Sequence, residues 1–377
     1  MRVYLDNAAT TPLAKEVLAE MMPFLENEFG NPSSTHSYGR PVKAAIESVR
    51  KTIASHLNCK PSELIFTSGG TEADNMAISC AIRELGVKHI ITSPIEHHAV
   101  LHSVEYIQHE KDITVSYVNL TPNGHVDLAH LETLLQSTKD KTLVSLMHGN
   151  NEIGNLLPLK EVVKLCKEHN ALFHSDTVQT VGHYAFDLTD LDIDFITCGA
   201  HKLHGPKGVG FLYVNKRHKI KPLIYGGSQE RGNRGGTENT YGIVGLGKAI
   251  SLAYEGLEEH QAHVQALKTY MKETLEQEIP DIQFNGDLTP ENSLYTVLNV
   301  AFPENSKSGM LLFNLDLKGI ACSGGSACSS GSNQGSHVLN TLNVSRPSVR
   351  FSFSRYTTKE EIDYAISAIK ESVLVES

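Results

Sequence analysis

Cysteine is scarce in this chain. There are six in 377 residues, far apart except for Cys322 and Cys328, and no two form a C-x-x-C pair. That pattern excludes a disulfide framework or a zinc ribbon and fits a reducing compartment. None of the 19 histidines belongs to an H-E-x-x-H pattern. The neighbours His97 and His98 cannot both lie on one helix face, so no metal is expected. No apolar run is long enough to cross a bilayer, and the opening residues reach Asp6 too soon for a signal peptide. Positive charge is also in deficit. The net charge of −10 argues against a nucleic-acid footprint and against a polybasic membrane surface. The expectation is a soluble, cytoplasmic protein with no nucleic-acid or membrane partner.

The length exceeds what one core usually spans, so two domains are expected. From about residue 63, short apolar runs alternate with helical patterns. The runs fall at 63–67, 89–92, 114–118, 142–147, 172–174, 194–197 and 210–214, with helices expected at 72–84, 98–108 and 159–169. Such alternation predicts an α/β fold: a mainly parallel sheet flanked by helices, with ligands beyond the carboxyl ends of the strands. An apolar stripe from Leu246 to Leu275 predicts one long helix leading into a smaller α+β unit. The large domain is expected at 13–257. The small one is expected to combine 1–12 with 258–377.

Residues 194–210 read D-F-I-T-C-G-A-H-K-L-H-G-P-K-G-V-G. The apolar run ends in small residues, then presents His201 and Lys202 on a turn that Gly205, Pro206 and Gly208 keep from becoming a helix. A lysine under apolar cover there can become an amine nucleophile and bind a carbonyl cofactor, pyridoxal phosphate being the usual one. A surface lysine in a glycine-rich turn is the other reading. Further candidates follow the other runs. Gly70 and Thr71 open a helix whose free N–H groups suit a phosphate, or form an ordinary helix-capping turn. His97 suits ring stacking and proton transfer, or is a solvated loop residue. Asp176 suits a protonated pyridine nitrogen, with Gln179 reaching a ring oxygen, or caps a helix. All follow strands of one predicted sheet.

Cys328 sits in S-G-G-S-A-C-S-S-G-S, a polar, flexible stretch that favours an exposed, reactive thiol over a buried one. Cys322 ends an apolar run and reads as structural. Arg350 and Arg355 lie on an alternating run, an odd number of residues apart, and need not share a face.

Taken together, the motifs resemble the cysteine desulfurases among the class V, fold-type I pyridoxal phosphate enzymes. Matching segments are S-G-G-T-E-A-D-N (68–75), E-H-H-A-V (96–100), N-N-E-I-G (150–154), H-S-D-T-V-Q (174–179), H-K-L-H-G-P-K-G (201–208), R-G-N-R-G-G-T (231–237) and G-S-A-C-S-S (325–330). The resemblance implies that Lys202 is the Schiff-base lysine and Cys328 the sulfur-accepting nucleophile. It implies that Asp176, Gln179, His97 and Asn151 contact the cofactor, with Gly70, Thr71 and His201 at its phosphate. It assigns Arg355 (with Asn151) to the substrate carboxylate and Thr237 to the phosphate of a partner subunit, hence a homodimer. The implied reaction takes sulfur from L-cysteine, leaving alanine and a persulfide for an acceptor protein such as an iron–sulfur scaffold or a tRNA-thiolation protein. Selenocysteine lyase, another class V aminotransferase and a non-enzymatic scaffold are the alternatives. One departure stands out: the family usually has serine three residues before the lysine, and here that residue is Gly199.

Overall fold

A computed structural model describes residues 1–304, 308–324 and 335–374. The strands, in chain order, are β1 (Val3–Tyr4), β2 (Leu64–Thr67), β3 (His89–Thr92), β4 (Thr114–Tyr117), β5 (Thr142–Ser145), β6 (Leu172–Asp176), β7 (Phe195–Gly199), β8 (Gly210–Val214), β9 (Gln283–Asn285), β10 (Val297–Ala301), β11 (Ile320–Ala321) and β12 (Ser348–Ser352). Seven of them form the main sheet, in the order β2-β8-β7-β6-β5-β3-β4. Pairing is parallel from β4 across to β7. Only β8 runs the other way, antiparallel to β7 and to β2. Hence β2, β3, β5, β6 and β7 all point in one direction, and their carboxyl ends share one edge.

The residues explain the sheet. Strands β2, β3, β5, β6, β7 and β8 are buried at every position, as strands covered by helices on both faces must be. One apolar cluster under this sheet includes Ile53, Phe173, Ile196 and Leu246. Another, which includes Ile65, Met76, Val104 and Phe195, joins the helices Gly70–Arg83 and His98–Glu110 to the sheet. A separate cluster gathers Val3 and Leu5 with Val264, Leu298, Phe351 and Ile369. It lies over a small antiparallel sheet, β12-β10-β9, and the parallel pair β1–β11.

The single long helix expected from the stripe is two helices, Thr240–Glu255 and Leu257–Glu278, divided at Gly256. The apolar stripe runs through both, so periodicity alone could not mark the break. A Cβ on Gly256 would come within 2.5 Å of the His260 ring. The helix Leu128–Ser137, capped by the Asp127 carboxylate, and the short strands β9 and β11 were not among the expected elements.

Candidate functional site

The carboxyl ends of β2, β5, β6 and β7 open onto a cavity of about 250 Å³. At one side the helix Gly70–Arg83 begins abruptly after Gly69, whose φ of +151° lets the chain turn from strand to helix without a cap side chain. Gly70 and Thr71 therefore face the cavity with the unpaired N–H groups of a helix start. At the other side lies Asp176, the last residue of β6 and 7% exposed. Its Oδ1 accepts from the Val178 N–H at 2.9 Å. Burial, and Asp74 nearby, push its carboxyl up to about 6.

Lys202 ends a short 3-10 turn, Ala200–Lys202, that follows β7. Its Nζ donates to the carbonyls of Ala8 and, at 2.8 Å, Ala9. The segment around residues 7–11 is clamped onto this turn from several directions. Thr11 donates through its N–H and its hydroxyl to the His201 carbonyl, both at 2.9 Å. The His201 Nδ1 lies 3.1 Å from the Thr10 hydroxyl, and Gln179 Nε2 donates to the Ala8 carbonyl at 3.0 Å. Burial and the Lys202 ammonium pull His201 down to about 4, so its ring is neutral at ordinary pH. His97 caps the helix His98–Glu110, its Nδ1 accepting from the Ala99 N–H at 3.1 Å. The ring is then an Nε2–H tautomer, and burial lowers its pKa.

Gly70, Thr71, His97 and Asn151 all line this cavity, together with Asp176, Gln179, His201 and Lys202. Two expected residues do not. Thr237 is exposed and lines a different cavity with Ser68 and Arg234. Arg355 sits at a small cavity on the far side of Lys202, near His183 and His260. Its guanidinium lies 5.0 Å from the Tyr356 ring centroid and donates to that hydroxyl. Cys328 lies outside the described residues. Cys322 does not: it is half-buried, and desolvation raises its thiol to about 12.

The residue that sequence reasoning missed is Arg350, which lines the cavity that Arg355 does not. It is 1% exposed, on β12, and donates to the Asn151 carbonyl at 2.8 Å and to Asp6 Oδ1 at 2.7 Å. Its Nε is buried without a hydrogen-bond partner. The alternation of the run did not show where the strand stops: Arg350 is inside β12 and paired opposite Asn299 of β10, whereas Arg355 lies beyond its end. Asp74 and His174 were also unmarked, though both lie inside quoted motifs.

Comparison with known proteins decides the lineage. A family model described as aminotransferase class-V matches residues 3–365. The chain belongs to the class-V aminotransferase family. A protein of Dictyoglomus turgidum named cysteine desulfurase IscS is 45% identical, covering 98% of this chain and 94% of its own. One of Bacillus subtilis named putative cysteine desulfurase IscS 1 is 42% identical, over 99% and 98%. Among solved structures, one titled NIFS-like protein superposes with a TM-score of 0.90 at 38% identity, covering 98% of this chain and 99% of that one. Another, titled SspA in complex with cysteine, gives 0.80 at 32%, over 94% and 100%. The α/β architecture is that of these fold-type I neighbours.

Class-V enzymes of this lineage depend on pyridoxal phosphate, and the donors present fit it. A cluster of helix-start N–H groups, an amine and a buried carboxylate occupy separate walls of one cavity. Gly199 does not spoil the fit. A Cβ there would stand 3.6 Å from the Gly70 nitrogen and 3.7 Å from the His201 ring, in ordinary contact.

Proposed function

We infer that this chain is a pyridoxal phosphate-dependent cysteine desulfurase that takes sulfur from L-cysteine, releases L-alanine and carries the sulfur as a persulfide on Cys328. The observation that carries this reading is the convergence of Lys202, Asp176, His97 and Arg350 on one cavity, in a chain 45% identical to a named cysteine desulfurase.

Gly70, Thr71 and His201 would hold the phosphate, Asp176 the ring nitrogen and Gln179 the ring oxygen, with His97 on the ring face and Asn151 beside it. When bound, the cofactor supplies a carbonyl carbon for an amine and a ring that draws electrons from the substrate Cα. With the cofactor bound, Asp176 would oppose a positive charge on the ring nitrogen and so favour its protonated form. Arg350 is better suited than Arg355 to the substrate carboxylate, because its guanidinium faces the cavity and a buried bidentate donor discriminates strongly for a planar anion. Lys202 Nζ moves the proton at Cα. The Cys328 thiolate forms a bond to the substrate sulfur as the carbon–sulfur bond breaks. The electron pair stays with Cβ, which takes a proton, and alanine leaves.

An acceptor protein then collects the sulfur; an iron–sulfur scaffold or a tRNA-thiolation protein fits the chemistry. A homodimer is part of this reading. Leu18, Met22, Leu25 and Phe29 present a contiguous exposed apolar run, from 36% to 74% exposed, which is more than a lone monomer usually leaves to water. No helix among the described residues is long and apolar enough to cross a membrane.

The test is incubation of the purified protein with L-cysteine, quantifying alanine and sulfide. Equal amounts of both, with Cys328→Ala keeping the cofactor but losing sulfide, are expected. Conversion of an added keto acid, or sulfide at the parent rate from Cys328→Ala, would overturn the assignment.

A further inference from the structure

From the cavity wall inward runs a chain of buried polar side chains that the proposed reaction does not use, beginning at Asp74, which lines the cavity beside Asp176. Asp74 is one turn into the helix Gly70–Arg83 and 1% exposed. Its Oδ1 faces the His174 Nε2 on β6 at 3.4 Å, and His174 is fully buried. Neither atom has a hydrogen-bond partner. The other ring nitrogen, His174 Nδ1, lies 2.9 Å from the Ser145 hydroxyl on β5. Thr197 on β7 stands between the two acids. Its hydroxyl donates to Asp176 Oδ1 at 3.5 Å and also interacts with Asp74.

We propose that Asp74 is a positioning residue that stays protonated in the working enzyme, donating to His174 Nε2, so that Asp176 is left as the sole anion opposite the cofactor's ring nitrogen. Two orphaned polar atoms facing each other in a dry interior each cost free energy, and one proton between them satisfies both. The competing arrangement, a carboxylate against an imidazolium, would desolvate two ions at once. Burial disfavours both charges here: it pushes Asp74 up to about 8 and His174 down to about 4. His174 Nδ1–H then donates to Ser145, and the Thr197 hydroxyl is available to Asp176.

Other titratable groups surround the two acids. Glu96 and His97 face the acids from the turn before the helix His98–Glu110, Cys198 from β7, and Lys202 from the turn after it. Burial raises the Glu96 carboxyl well above the ordinary range, and its Oε1 accepts from the Met147 N–H. Were Asp74 ionised, Asp176 would share its site with a second anion and would take up a proton itself.

The consequence for the cofactor rests on the reading above, but the proton on Asp74 can be read without it. Infrared spectra of the full chain, with and without added pyridoxal phosphate, are compared for the parent and Asp74→Asn near neutral pH. The parent-minus-variant difference spectrum is expected to carry the carbonyl band of one protonated carboxyl in both states, bands of the other buried acids cancelling. A difference spectrum that shows lost carboxylate stretches and no such band would overturn the proposal. If Asp74→Asn does not fold, nitrogen-15 spectra of the parent decide: a neutral His174 with Nε2 unprotonated supports the proposal, and an imidazolium overturns it. In the holoenzyme, the pH titration of the cofactor absorbance should carry an inflection above neutrality that Asp74→Asn abolishes. Its persistence in that variant would also count against the assignment. Failure to bind the cofactor while the carboxyl band is present would sink the functional reading alone.

Discussion

Lys202 Nζ and the Ala9 carbonyl lie 2.8 Å apart, so the loop after β7 and the opening segment of the chain share a hydrogen bond at the candidate amine. The Ala8 and Ala9 carbonyls both accept from the ammonium and hold it at the cavity wall. Lys202→Ala should abolish the visible absorbance of lysine-bound cofactor and slow sulfide release by about 10²–10⁴-fold, the range for loss of a positioned proton-transfer group. Unchanged absorbance on titration with pyridoxal phosphate would refute the role.

The empty side-chain position at Gly199 offers a gain-of-function test. A serine Cβ fits without a clash and brings a hydroxyl beside Gly70. One charge-assisted hydrogen bond contributes about 1.5 kcal/mol, roughly tenfold. Gly199→Ser should therefore slow cofactor loss about tenfold in dilution or dialysis. A faster loss would mean that the phosphate lies elsewhere.

The two arginines should separate kinetically. Arg350→Lys keeps a cation but loses the planar fork, so KM for L-cysteine should rise by about 10-fold or more while cofactor absorbance persists. Arg355→Gln, whose side chain packs on Tyr356, should change KM less than about threefold. The reverse order would restore Arg355 as the carboxylate ligand. Denaturation midpoints must accompany these data, because Arg350 is also paired with Asp6 in a buried site.

Folding stability of the cofactor-free protein should pass through a maximum with pH. Burial holds His148 at about 3, and His174, His183, His201 and His204 at about 4, all below the ordinary 6.5. Their native forms bind fewer protons than the unfolded chain, so stability is lost as pH falls from 6.5 toward 4. Asp74, at about 8, and Asp176, at about 6, act oppositely. Their native forms bind more protons, and stability declines as pH rises through those values. Urea titrations should find a maximum between about pH 6 and 7. A monotonic rise from pH 5 to 9 would contradict the burial of these acids.

Much of the site was legible because it follows strand ends. Apolar runs at 89–92 and 210–214 coincide with β3 and β8, and the chemistry-bearing residues after the runs do converge, since β8 alone reverses direction. What could not be read depends on distant pairing. Nothing local to Ala8 or Ala9 announces that their carbonyls meet a lysine nearly two hundred residues later. Arg350 and Arg355 carry the same charge on the same run, but only Arg350 lies within β12, where pairing with β10 fixes its direction, and Arg355 falls after the strand has ended. Asp74 looked like an ordinary helix residue, and its meaning came from His174 across the sheet. Cys328, the clearest motif in the sequence, falls outside the described residues.

The opening strand has a consequence for biosynthesis. Val3 pairs with Ile320, and Asp6 bridges to Ser352. Val3 and Asp6 therefore gain these partners only after about three hundred further residues have been joined, whereas Ala8, Ala9 and Thr11 meet the turn at 201–202 much sooner. A nascent chain can thus close its clasp on Lys202 before β11 and β12 exist, and the late pairing locks that clasp in place. Products truncated ahead of Ile320 should accordingly hold the amine pocket more loosely than the full chain.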